Sequence, residues 1–257
     1  MKVIMLICAK GFSRRISEKN LRPFCGHPLV YWPILQGKVS KLVDEVIVST
    51  QDDRIADIAE GLGAEVFWRQ YEDTDETSGS IPVFEWRDSF RESGRIGPDD
   101  IVVTHWAPNC IMLPGDIDRL VSLLQYFHEL SGGGCESLGL GATEYTMGIS
   151  WRTGPNMRKH VMNCINIDVR AGNAFSSGLG AIVIAKGIVS AAYIKQWDHG
   201  KAPVYWQGGG PGYYMDVEPW QMQDMDTPEE MEFGEVVMEH FILKGRGDQV
   251  YKDYANK

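Results

Sequence analysis

The sequence predicts an α/β fold: a mostly parallel central sheet with helices on both faces, plus a small inserted lobe. Strand-like and helix-like stretches alternate through the first half of the chain. The strand-like stretches are continuous apolar runs, as expected when a parallel sheet is buried on both sides. A cation-rich loop follows the first run directly. In such a sheet, ligands bind at the carboxyl ends of the strands.

Val3–Cys8 opens the pattern as a buried strand, and Pro28–Leu35 reads as the start of a helix. Val46–Thr50 is a second strand. Asp52 or Asp53 then caps a helix carrying Ile55, Ile58, Ala59 and Leu62, closed by Gly61 and Gly63. Ala64–Trp68 is a third strand, and Ser80–Arg91 a helix with Pro82 in its first turn. Ile101–His105 and Asp116–His128 form the next strand–helix pair. The pattern loses regularity over 139–172, which reads as the inserted lobe and a candidate dimer contact. Ala181–Ile184 returns to the sheet, Tyr213–Val217 follows a glycine loop, and Pro228 opens the last helix. All 257 residues are taken as one domain.

The formal net charge is −10, which disfavours a general grip on nucleic acid. No segment approaches the length of a membrane span, and no signal peptide is recognisable, so a cytoplasmic protein is expected. The five cysteines include no Cys-x-x-Cys pair, against a disulfide framework or structural zinc site.

Within this acidic chain, Lys10, Arg14, Arg15, Lys19 and Arg22 crowd the loop after the first strand. Neither Gly-x-Gly-x-x-Gly nor the P-loop pattern occurs there. Cations spread over such a loop suit the phosphates of a nucleoside triphosphate. Near the other end, Asp224 and Asp226 fall on one side of an extended segment, a partial Mg²⁺ site. Thr227 caps the helix that Pro228 begins. A triphosphate loop together with a paired-carboxylate metal site points to nucleotidyl transfer.

The chain resembles the cytidylyltransferases that activate acidic sugars, the CMP-sialic acid and CMP-Kdo synthetases. Ala9-Lys10-Gly11-Phe12-Ser13-Arg14 and Lys19-Asn20-Leu21 carry the likeness, with Lys10 where the family has arginine. Val46–Thr50 with Asp52, Gly63–Val66 with Arg69, and Asp224-Met225-Asp226-Thr227 extend it. The resemblance implies CTP as donor, Mg²⁺ as cofactor, a small acidic acceptor and a homodimer. It implies nucleotide contacts at Ala9, Lys10, Gly11, Ser13, Arg14, Lys19, Asn20, Thr77 and Ser80. Asp224 and Asp226 would bind the metal, and Lys10, Lys19 and Asp226 would act at the reacting phosphate. His105, Trp106 and Asn109 would meet the acceptor.

The family's Gln-Pro-Thr-Ser-Pro-Leu-Arg is replaced by Trp106–Met112, and its Arg-Pro-Asn-Gly by Ser177–Gly180. The acceptor segments therefore depart where the nucleotide segments persist. That leaves two alternatives beside an acidic sugar: a phosphonate or other small anionic acceptor, or a non-catalytic nucleotide-binding relative.

Overall fold

The computed structural model describes residues 1–13, 15–70, 81–135, 137–144, 182–195, 213–221, 223, 225–247 and 250–252. Among the described residues a seven-stranded sheet forms the centre. Its strands are β1 Val3–Cys8, β4 Glu45–Thr50, β5 Glu65–Trp68, β6 Ile101–Trp106, β7 Ser137–Glu144, β8 Ile182–Tyr193 and β9 Tyr213–Asp216, in the order β5-β4-β1-β6-β8-β7-β9. The pairs among β5, β4, β1 and β6 are all parallel. β8 runs antiparallel to both β6 and β7, and β9 is parallel to β7. A separate ribbon pairs β2 Pro23–Phe24 with β3 His27–Pro28.

Alternation along the buried strands sends side chains to two helical layers. Val3, Met5 and Ile7 pack with Ile34 of α1 (Tyr31–Val39), Ile55 and Ala59 of α2 (Asp53–Gly61), and Leu120 and Leu124 of α4 (Asp116–Leu130). Ile4, Leu6 and Cys8 face the other way, against Val83, Trp86 and Phe90 of α3 (Ile81–Glu92). Asp52 caps α2 by accepting from the Arg54 amide. Gly63, at φ 73°, carries the chain out of that helix in a conformation L side chains resist.

A further apolar cluster joins the two ends of the sequence. Ile16, Phe24, Leu29, Trp32 and Leu35 pack there with Met225, Met231, Val237 and Met238. The last three belong to α5 (Pro228–Val237) and the π-helical run Met238–Arg246 that continues it. This cluster brings the loop after β1 beside the approach to α5.

Three expectations change. The first helix starts at Tyr31, because His27 and Pro28 are taken by the ribbon with Pro23 and Phe24. Residues 139–144, expected to open the inserted lobe, are most of β7 and belong to the sheet; the lobe's remainder, 145–172, lies outside the described residues. The return strand, expected over 181–184, runs from Ile182 to Tyr193.

Candidate nucleotide and metal site

The site begins where β1 ends. Ala9 is fully buried, and its amide donates to Ser49 O at 3.1 Å, tying the loop to β4. The Lys10 carbonyl accepts from Asn20 Nδ2 at 2.8 Å, which closes the loop onto the short 3-10 turn Lys19–Leu21. Asn20 is 7% exposed, and its Oδ1 has no hydrogen-bond partner among the described residues. Gly11 lies so close to α2's cap that a Cβ there would stand 1.8 Å from Asp52 Oδ2. The Arg54 guanidinium holds the Asp52 carboxyl below the usual aspartate range, mainly by hydrogen bonding to it. Arg54 also reaches Glu18 at 2.5 Å, across the loop. Ser13 is partly exposed and Arg22 exposed.

The acidic segment comes to this loop. Lys19 Nζ donates to Asp226 Oδ1 and to Met225 O, both at 2.9 Å. Arg15 pairs with the other Asp226 oxygen. The Lys19 side chain is only 12% exposed, whereas that of Arg15 is 67% exposed and that of Asp226 32%. Lys19 is thus a built-in contact, and Arg15 reaches the carboxylate from solvent.

Asp226 lies in no paired strand, and the Thr227 that follows it is extended at φ −125°, ψ 161°. Side chains and the helix cap hold Asp226 instead. Its amide donates to Glu230 Oε2 at 2.8 Å, and the Thr227 amide does so at 2.9 Å. Thr227 Oγ1 in turn accepts from the Glu230 amide at 3.2 Å, completing a capping box at the start of α5. The methionine before Asp226 is fully buried, and its sulfur occupies the space beside Gly234, where a Cβ would stand 2.6 Å away.

The expected acceptor residues are not grouped as an open surface. His105 is fully buried in β6. Its Nδ1 lies 3.1 Å from Trp106 O, which makes Nδ1 the donor and leaves Nε2 a bare acceptor with no partner among the described residues. Burial pushes its pKa down to about 4. Trp106 is partly exposed at the end of β6. Asn109 is 3% exposed, and its Nδ2 donates to Gln223 O at 3.1 Å. That bond ties Asn109 to the acidic segment. Arg14, Thr77, Ser80 and Asp224 lie outside the described residues.

Three contributors carry no local signal for their role here. Arg15 reads only as a loop cation, and Asp116 and Gln221 have partners distant in sequence. Asp52 reads as a helix cap, but its packing against Gly11 has no spacing signal. Gln221 Nε2 donates to Asp116 Oδ2 at 2.6 Å, and burial raises the Asp116 carboxyl above its ordinary range.

Residues 4–87 match the cytidylyltransferase family. Over 69 residues, 27% of this chain and 29% of the other, it is 35% identical to the CMP-N,N'-diacetyllegionaminic acid synthase of Campylobacter jejuni. It is 34% identical over 103 residues to the N-acylneuraminate cytidylyltransferase of Oncorhynchus mykiss, covering 40% of this chain and 22% of that one. It is 30% identical over 125 residues to the 8-amino-3,8-dideoxy-manno-octulosonate cytidylyltransferase of Shewanella piezotolerans, 49% and 48% of the two chains. The chain therefore spans less than half the length of each of these relatives.

The fold extends further than the sequence likeness. A CMP:2-keto-3-deoxy-manno-octonic acid synthetase complexed with CTP superposes with a TM-score of 0.64 at 15% identity, over 93% of this chain and 99% of that one. A 4-diphosphocytidyl-2C-methyl-D-erythritol synthase gives 0.62 at 14% identity, over 92% and 98%. The mixed α/β sheet is thus the fold of these two solved enzymes.

Proposed function

We propose that this chain is a CTP-dependent cytidylyltransferase that joins CMP to an acidic sugar and releases pyrophosphate. The observation that carries the reading is the contact of Lys19 and Arg15 with Asp226. Nucleotidyl transfer needs a triphosphate loop and a metal carboxylate side by side, and these ion pairs, which bring the loop to Asp226, support that reading. The family match over 4–87 and the fold of a synthetase solved with CTP support it.

In this reading the backbone of Ala9–Gly11, with Lys10, Ser13, Arg14 and Lys19, cradles the triphosphate. The buried Asn20 Oδ1 is an acceptor for a donor group of the nucleotide. Thr77 and Ser80 hold the base. Asp226 suits Mg²⁺, which takes one or two carboxylates and fills its remaining positions with water and phosphate oxygens. Its carboxylate is partly open to solvent, and Arg15, one of the cations on it, is an exposed side chain that can turn toward a phosphate. Asp224 would share the metal, which when bound neutralises phosphate charge and lowers the pKa of a ligated hydroxyl. Lys10 and Lys19 stabilise the charge that grows on the departing pyrophosphate. The loop and the Asp226 segment align the α-phosphate for in-line attack. The same reading makes the protein a cytoplasmic homodimer.

A second reading keeps the chemistry and changes the acceptor to a phosphonate or other small anion. The engagement of Asn109 with Gln223 and the burial of His105 favour it. Pyrophosphate release, measured with each nucleoside triphosphate against sialic, Kdo-like and phosphonate acceptors, tests both. Turnover with CTP and a sugar acid supports the first reading, and turnover with CTP and a phosphonate supports the second. Neither binding nor turnover of CTP would sink both.

A further inference from the structure

Of the residues leading to Asp226, Gln221, Gln223 and Met225 are each held by a hydrogen bond. Gln221 is bonded through its side chain to Asp116, Gln223 through its carbonyl to Asn109, and Met225 through its carbonyl to Lys19. Two of these three partners come from 109–116, the segment between β6 and α4. That segment is itself fixed. The Tyr251 hydroxyl donates to Met112 O at 2.9 Å, and Gln36 Nε2 donates to Cys110 O at 2.5 Å.

Asp116 is the junction. Its Oδ2 accepts from the Leu113 amide at 2.8 Å and from Gln221 Nε2 at 2.6 Å. Asp116 is 5% exposed and Gln221 6%. A buried carboxylate or amide is costly unless its hydrogen bonds are made, so this pair holds one geometry. One oxygen thereby fixes both the turn into α4 and the start of the approach to Asp226.

We propose that Asp116, acting through Gln221, and Asn109, acting through Gln223, are positioning residues that set where the Asp226 carboxylate stands in the metal–nucleotide site. The resemblance assigned this segment to acceptor binding; in this chain it serves the metal carboxylate. The inference rests on the reading of Asp226 as a metal ligand. Groups that orient a metal ligand are commonly worth ten- to a hundredfold in affinity.

The test compares Asp116→Leu, Gln221→Leu and Asp116→Asn. Both bonds to Asp116 end on one oxygen, so an asparagine whose amide oxygen takes that place keeps them. Mn²⁺ binding in the presence of CTP is followed by electron paramagnetic resonance. The two leucine variants bind Mn²⁺ about tenfold more weakly, and Asp116→Asn binds as the parent does. Amide hydrogen exchange at 223 and 225–227 quickens in the leucine variants while β1 and β6 stay protected. Unchanged Mn²⁺ binding in folded leucine variants overturns the proposal, as does equal loss in all three. Should Asp116→Leu fail to fold, Gln221→Leu, which spares the Leu113–Asp116 bond, decides. Should the parent bind no Mn²⁺ with CTP, the metal reading falls by itself. Exchange then decides the positioning claim, and unchanged exchange at 223–227 overturns it.

Discussion

Lys19 and Asp226, 207 positions apart, meet at 2.9 Å, and the same lysine nitrogen also holds the carbonyl of Met225. One largely enclosed cation therefore grips both the side chain and the backbone of the acidic segment. Lys19→Met leaves Met225 O and half of the Asp226 carboxylate without a donor. The expected result is a loss of about 1–3 kcal/mol in urea unfolding, the usual cost of stranding a partly buried polar group. Turnover falls roughly a hundredfold or more, as for other lost charge-stabilising donors. Full activity in this variant would remove Lys19 from the mechanism.

Arg15 gives the contrasting case. Its side chain is largely exposed, so its pair with Asp226 adds little to folding. Arg15→Ala should unfold within about 0.5 kcal/mol of the parent while raising the KM for CTP. A stability loss matching that of Lys19→Met would contradict the distinction drawn between the two cations.

Gly11 is fixed by space. Gly11→Ala puts a methyl group against the Asp52 carboxylate, so the loop must shift. CTP binding measured by calorimetry should weaken sharply. Gly11→Ala combined with Asp52→Gly should recover part of that binding, because the obstruction is removed. No recovery would mean that the glycine is needed for another reason.

His105 predicts a pH effect on stability. Burial depresses its folded pKa from the ordinary 6.5 to about 4. Between those values the unfolded chain binds a proton that the folded chain refuses, so stability rises with pH across this window. As pH falls from 6.5 toward 4 the cost grows to about 3 kcal/mol, then levels off once the folded form also protonates. Denaturant midpoints should show this slope in the parent, and His105→Gln should flatten it. An unchanged slope in the variant would place the titration elsewhere.

The parallel half of the sheet is legible in the sequence because its strands are unbroken apolar runs, and their register needs no long-range information beyond the helices that cover them. α2 was readable to its cap, since Asp52 precedes an amphipathic spacing. β7 was hidden by its glycines: Gly139 and Gly141 flank a register shift in the middle of the strand and look like loop residues. The start of α1 was misplaced because Pro28 suits a helix's first turn as well as a ribbon edge.

At the site, residue type alone suggested that Lys19 and Asp226 belong together, through charge chemistry. Spacing could not reveal that Gly11 backs onto Asp52 or that Asp116 seats Gln221. Those contacts join residues 41 and 105 positions apart. Local pattern says nothing about pairs made only by packing.

The apolar cluster beneath the loop has a kinetic consequence. Ile16 and Phe24 find Met225 and Met231 only after some two hundred further residues are in place. Contacts of such separation carry a large loop-closure cost and form late. A ribosome-bound chain that has released β1 through β6 already owns the strands needed for a parallel sheet. Its basic loop still lacks that apolar support, so on the proposed reading competence to hold a nucleotide arrives in one step with the docking of α5.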